Sequence, residues 1–185
     1  MNVTSLSAPV LDNIIDDWKA DKSDTYCVNT GGDAKYHTSV ESLEEVYKKK
    51  PLQLTDQGAE KNLNYISYNN YETEVWGIVR DKCSHMFRSR QTCTALWYKG
   101  PEAFLGWHTN IRSVKHAHSV FLTYVEEGGE SFFRYISDNT NELITDYDKP
   151  GWYMRSWSWN TKNPFWHCVY SDIDRISIGL QCVFK

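Results

Sequence analysis

Apolar residues recur at helical spacing in the first half of this chain and at strand spacing in the second, with the change near residue 91. In SAPVLDNIIDDWKAD, Val10, Ile14 and Trp18 fall at i, i+4 and i+8, Pro9 sits in the first turn and Ser7 occupies a capping position, which predicts a helix. SVESLEEVYKKKP places Ser39 ahead of early glutamates and late lysines and stops at Pro51, in keeping with a helix dipole. NNYETEVWGIVRDKCSHMF carries Tyr71, Val75, Ile78, Val79 and Cys83 on one face and predicts a third helix. Beyond residue 91, QTCTALWYKG reads as a strand ending in a turn, and SVFLTYVEEGGESFFRYI as two strands joined by a hairpin around EEGG. GWYMRSWSWN, WHCVYS and RISIGLQCVF follow as short strands separated by Asn, Pro and Asp.

Many short strands with turn signals between them predict a mainly β fold, a sandwich or jelly roll. Neither an internal repeat nor a low-complexity linker breaks the chain, so residues 1–185 read as one domain. Residues 1–90 are expected to form a mostly helical support region packed on one face, and residues 91–185 the β core.

Composition sharpens this picture in three ways. The 8 Trp, 12 Tyr and 7 Phe suit half-buried strands, although Trp97, Trp107, Trp157 and Trp159 could instead grip a substrate. A net charge of −4 disfavours a broad nucleic-acid footprint, and YKKK at 47–50 reads as a solvated helix end rather than a phosphate site. The five cysteines show no metal-type spacing, and neither a signal peptide nor a membrane span is evident, which predicts a cytoplasmic protein with reduced thiols.

Candidate chemistry begins at GWHTNIR. His108 and Asn110 stand two apart, so on a strand they point the same way. A His-x-carboxylate pair at that spacing would offer two ligands to one iron, but the second position holds a neutral amide. WHCVYSDIDRISIG adds His167, then Arg175 and Ser177 on a shared strand face, where a guanidinium beside a hydroxyl suits a carboxylate. A lone histidine is more often a core residue than a ligand, so the signal lies in the order of the whole set. Arg134 and Arg155 read as solvated strand residues, with a place at a pocket mouth as the other reading. The acidic EEGG segment, with Glu126, Glu127 and Glu130, reads as a solvated turn. Walker, GxSxG and CxxC motifs do not occur.

Over residues 92–185 the chain resembles the Fe(II)- and 2-oxoglutarate-dependent oxygenases, through GWHTN, FLTYVEEGGESFFRY, DKPGWYMRSW and WHCVYSDIDRISIGL. It looks nearest to the prolyl-4-hydroxylase-like branch and to short bacteriophage-encoded members. The resemblance implies a double-stranded β-helix core, iron held by His108, His167 and the residue at Asn110, and 2-oxoglutarate received by Arg175 and Ser177. Tyr98 and Tyr124 lie on strands where relatives set a tyrosine hydroxyl against the co-substrate, with core packing as the competing reading. The implied reaction consumes O2 and 2-oxoglutarate, releases succinate and CO2, and hydroxylates or similarly oxidises a substrate.

Asn110 departs from the family pattern, and four readings of it stand. It ligates iron through its carbonyl; or His116 or His118 completes the site instead; or the site halogenates, against which Asn is as bulky as Asp; or the domain is a catalytically silent jelly-roll binding module. Iron with two neutral imidazoles and a carboxylate carries +1, against +2 with an amide, so the substitution should weaken iron binding. The intact Arg175 and Ser177 favour a working enzyme. A peptide side chain, a small molecule and a nucleobase all remain open as substrate.

Overall fold

The structure, a computed structural model, describes residues 1–20, 25–49, 58–66, 72–83, 87–111, 116–128, 131–138 and 140–184, excepting the side chains of 25, 72, 82–83, 87–93, 116 and 183–184. Helix α1 (Pro9–Lys19) begins with proline, whose missing N–H costs nothing in the first turn. Its cap position is Ala8, which makes no side-chain hydrogen bond, so Ser7 does not cap it. The single turn α2 (Ala34–His37) is capped by Asp33, whose carboxylate accepts from the Lys35 and Tyr36 amides at 2.8 and 3.2 Å. Helix α3 (Val40–Lys49) follows Ser39, whose hydroxyl accepts from the Ser42 amide at 3.2 Å, and α4 spans Glu72–Cys83.

The described strands are β1 (Asn2–Ser5), β2 (Thr25–Asn29), β3 (Lys61–Ile66), β4 (Phe87–Tyr98), β5 (Ala103–His108) and β6 (His116–Val125). They continue with β7 (Ser131–Ile136), β8 (Leu143–Tyr147), β9 (Gly151–Asn160), β10 (His167–Ser171) and β11 (Arg175–Phe184). The first half of the chain thus supplies strands as well as helices, and β8, short and half-exposed, was not expected from the sequence.

All pairings are antiparallel, in the order β1-β9-β6-β11-β4 for one layer and β5-β10-β7-β8 for the other. Strand β3 pairs with both β4 and β5 and joins the layers along one side. From β5 onward the chain crosses repeatedly between layers, which is jelly-roll topology. EEGG is therefore a crossover and not a hairpin: β6 pairs with β9 and β11, whereas β7 pairs with β8 and β10.

The helices divide between the two outer faces. Leu11 and Trp18 of α1 and Val75 and Val79 of α4 pack on Val120, Leu122, Ile176 and Ile178 of the first layer. Leu43 of α3 covers Trp107 and Cys168 of the second layer, and Ala34 of α2 covers Phe104 and Tyr170. Between the layers lie Leu96, Tyr98, Leu105, Phe133, Trp157 and Val169, so the interior is largely apolar and any polar group there needs a partner. Among the described residues no helix is long and apolar enough to cross a membrane.

Candidate active site

Alternation along β10 turns His167 and Val169 into the interior and Cys168 and Tyr170 outward. On the neighbouring β5, Leu105 faces Val169 and His108 faces His167, with a register shift between the two pairs. Gly106 and Trp107 together oppose Cys168, so β5 carries a bulge. Trp107 turns out against Leu43 and donates its indole N–H to the Ser39 carbonyl at 2.6 Å. The bulge resets the alternation and brings His108 in beside His167, with ring centroids 4.1 Å apart.

Both imidazoles are buried, and both are oriented by backbone carbonyls. His108 Nδ1 lies 2.8 Å from the Gly106 oxygen, and His167 Nδ1 lies 3.0 Å from the Phe165 oxygen. A carbonyl only accepts, so each Nδ1 carries the proton and each Nε2 is the lone-pair nitrogen, the tautomer a metal requires. Burial, with His108 alongside, holds the pKa of His167 well below the ordinary histidine range.

Asn110 lies beyond the end of β5, so strand alternation does not place it. Instead Gln181, on the inward face of β11, donates Nε2–H to the Asn110 backbone carbonyl at 2.7 Å. The Asn110 amide nitrogen then stands 3.4 Å from His167 Nε2. His108, Asn110 and His167 are thus brought together. Among the described residues, no group of three His, Cys, Asp or Glu gathers anywhere.

Arg175 is buried on the same inward face of β11 as Ser177 and Gln181. Its Nε donates to Asp148 Oδ2 at 2.8 Å, its Nη2 reaches Thr123 Oγ1 at 3.4 Å, and its guanidinium lies 5.0 Å from the Tyr98 ring centroid. Its Nη1 is buried without a hydrogen-bond partner. An unpaired guanidinium N–H inside a protein is costly, and it marks where an acceptor would be bound.

Two of the residues singled out by sequence face elsewhere. Tyr124 packs on Trp152 at the outer face of the first layer, whereas Thr123, paired with Ser177, reaches Arg175 Nη2 from the inward face of β6. His118 shares the outward parity of Val120 and Leu122 and meets the Ser158 hydroxyl at 3.0 Å, so the sheet separates it from the histidine pair. His116, at the start of β6, pairs with Asn160 of β9, and its side chain lies outside the described residues, as does Glu130. Trp157 does reach the site, 5.3 Å from the His167 ring, while Trp97 and Trp107 serve outer clusters and Trp159 donates to Ser119 at 2.9 Å.

Arg155, read from sequence as solvated, is 1% exposed and shares Asp148 with Arg175. Arg134 binds the Thr38 carbonyl and Thr145 away from the interior site. Sequence reasoning missed Asp148 because Asp before Lys-Pro-Gly carries only the signal of a turn. Burial alone would raise its pKa, but Arg175 and Arg155, with Ser131 and Tyr153 donating, hold it at about 2. The unfolded chain binds this proton near the ordinary value of 3.8, so the carboxylate's contribution is complete above that pH and is lost as pH falls through 2. On the order of 2 kcal/mol should disappear in that window, read as a fall in urea midpoint that Asp148→Asn lacks.

Gly179 faces inward opposite Phe121, and a Cβ there would come 2.8 Å from the Phe121 ring. That ring is stacked on Trp157 at 5.1 Å and cannot retreat without disturbing the wall beside His167. Gly179→Ala is therefore expected to destabilise by about 1–3 kcal/mol in urea unfolding, through overpacking.

The chain is thus a double-stranded β-helix with a buried, carbonyl-oriented histidine pair in its interior. No family model and no curated protein matches it. Solved structures similar to it include a prolyl-4-hydroxylase from Pseudomonas putida, at 11% identity and a TM-score of 0.45, covering 95% of this chain and 99% of that one. Another is a prolyl hydroxylase from Trichoplax adhaerens in complex with a hypoxia inducible factor peptide fragment, at 11% identity and TM-score 0.46, covering 94% and 89%. A third is an oxidoreductase of the 2OG-Fe(II) oxygenase family from Burkholderia pseudomallei, at 9% identity and TM-score 0.47, covering 96% and 92%. Likeness at this level does not transfer an activity, and the chemistry has to be argued from the side chains.

Proposed function

We propose that this protein is an Fe(II)- and 2-oxoglutarate-dependent oxygenase that hydroxylates, or similarly oxidises, an organic substrate. The observation that carries the reading is the histidine pair, with both Nδ1 atoms held by carbonyls, so that each Nε2 carries the lone pair, and with Asn110 beside His167 Nε2. A donor set of two neutral imidazoles and an amide oxygen suits a divalent first-row metal. His108 and His167 would hold iron through Nε2, and Asn110 through Oδ1, with its amide turned over from the orientation in which nitrogen faces His167. When bound, iron and 2-oxoglutarate supply the activation of O2, with succinate and CO2 as products of the co-substrate.

The chain's own part is to bind and orient. Arg175 would receive the distal carboxylate of 2-oxoglutarate on Nη1, with Ser177 on the same strand face and the Tyr98 ring beneath the guanidinium. Phe121, Phe133, Trp157 and Phe165 surround His167 and exclude water from it. Tyr124 and His118 have no place in this scheme. A peptide side chain, a small molecule or a nucleobase acted on in the cytoplasm is compatible with it.

Anaerobic titration with Fe(II), with and without 2-oxoglutarate, tests the proposal through the visible charge-transfer band of the chelated complex. Asn110→Asp restores an anionic ligand and should tighten iron by at least about tenfold, which is 1.4 kcal/mol. A folded protein that gives no band at saturating metal is a silent binding module instead.

A further inference from the structure

Asp148 follows β8 with its side chain completely enclosed, and three hydrogen-bond donors and one ion pair converge on it. Ser131 Oγ and Arg175 Nε donate to Oδ2 at 2.5 and 2.8 Å, and the Tyr153 hydroxyl donates to Oδ1, which Arg155 Nη1 faces as an ion pair at 2.8 Å. Both carboxylate oxygens are thus engaged from both sides, which holds Asp148 in one orientation. Its partners come from β7, β9 and β11, and hence from both layers, with β8 and β9 lying away from the side that β3 joins.

The consequence falls on Arg175. With Nε held by Asp148 and one face of the guanidinium against Tyr98, the plane of the group is fixed. Nη1 has no partner and Nη2 has only a long contact to Thr123. The Nη1–Nη2 edge is therefore the one left to a ligand, and that edge matches a carboxylate as a two-pronged fork.

We propose that Asp148 is a positioning residue for the co-substrate, presenting the Nη1–Nη2 edge of Arg175 to the distal carboxylate of 2-oxoglutarate. This rests on the reading of Arg175 as the carboxylate receptor. Asp148 touches neither metal nor co-substrate and acts only through the guanidinium. Preorganisation sets its effect: without the carboxylate, Arg175 keeps its charge but loses its fixed plane, and binding must supply the ordering.

A double-mutant cycle separates this role from a structural one. 2-Oxoglutarate affinity is measured anaerobically with Fe(II) in the native chain, Asp148→Asn, Arg175→Lys and the double variant, with iron affinity measured alone as the control. Asp148→Asn should weaken 2-oxoglutarate at least about tenfold in the native background, less than about twofold in the Arg175→Lys background, and leave iron affinity unchanged. An equal loss in both backgrounds, or unchanged or tighter binding in Asp148→Asn, overturns the proposal. If Arg175→Lys itself leaves 2-oxoglutarate affinity untouched, the carboxylate subsite at Arg175 fails first, and the two failures are distinct.

A measurement on the native protein covers the case in which Asp148→Asn does not fold. The Arg175 Nε–H resonance should be protected from exchange and stay in place when 2-oxoglutarate is added, while the Nη signals shift. Displacement of the Nε–H signal by 2-oxoglutarate would mean that the ligand replaces Asp148, and the proposal falls.

Discussion

His167→Ala is expected to abolish the charge-transfer band given anaerobically by Fe(II) and 2-oxoglutarate, with iron affinity falling by at least about 100-fold. Loss of a residue that merely orients a ligand costs 10–100-fold, and His167 is read as a ligand itself. What remains is one imidazole and a neutral amide, with no carboxylate grouped nearby among the described residues. The same change opens a void, since His167 packs against Phe133 at 5.2 Å, Trp157 at 5.3 Å and Phe165 at 5.7 Å. About 2–4 kcal/mol of stability should go with it. Urea unfolding followed alongside the metal titration separates the two effects. A His167→Ala protein that keeps the band would remove His167 from the metal site.

Arg175→Ala has the second large effect, and it divides differently. 2-Oxoglutarate affinity should drop at least about 100-fold while Fe(II) alone still binds, because the lost contact is a charge-assisted hydrogen bond to a buried carboxylate. Stability should fall by about 3 kcal/mol at pH 7, since Asp148 loses the guanidinium on Oδ2 and stays buried. The stability loss has a pH signature. Below pH 2 Asp148 is protonated in the folded protein too, so the gap between Arg175→Ala and the native chain should narrow there. A gap that persists unchanged at low pH would mean that the destabilisation comes from lost packing on Tyr98.

The sequence by itself determined the helices over Pro9–Lys19, Val40–Lys49 and Glu72–Cys83, whose apolar spacing and end residues are local properties. It also determined the β character of the second half and the division of β11 into two faces, because alternation in RISIGLQCVF sets Ile176, Ile178 and Leu180 together on one of them. That alternation put Arg175 and Ser177 on one face, and the distinctive order of His108, His167, Arg175 and Ser177 marked the candidate site.

Tertiary structure decided the rest, for reasons no local pattern carries. Which strands pair is a choice between partners distant in the chain, so EEGG became a crossover between layers where a hairpin was as well suited to its residues. Alternation counted from Leu105 would send Trp107 inward and His108 out; the bulge opposite Cys168 reverses this, and a bulge exists only against a partner strand. Tyr124 and Thr123 compete for the inward face of β6, and only the register with β11 sets Thr123 opposite Ser177, within reach of Arg175. Asp148 reads as a turn residue until β7, β9 and β11 converge on it, because a buried carboxylate is legible only through the charges that fold around it.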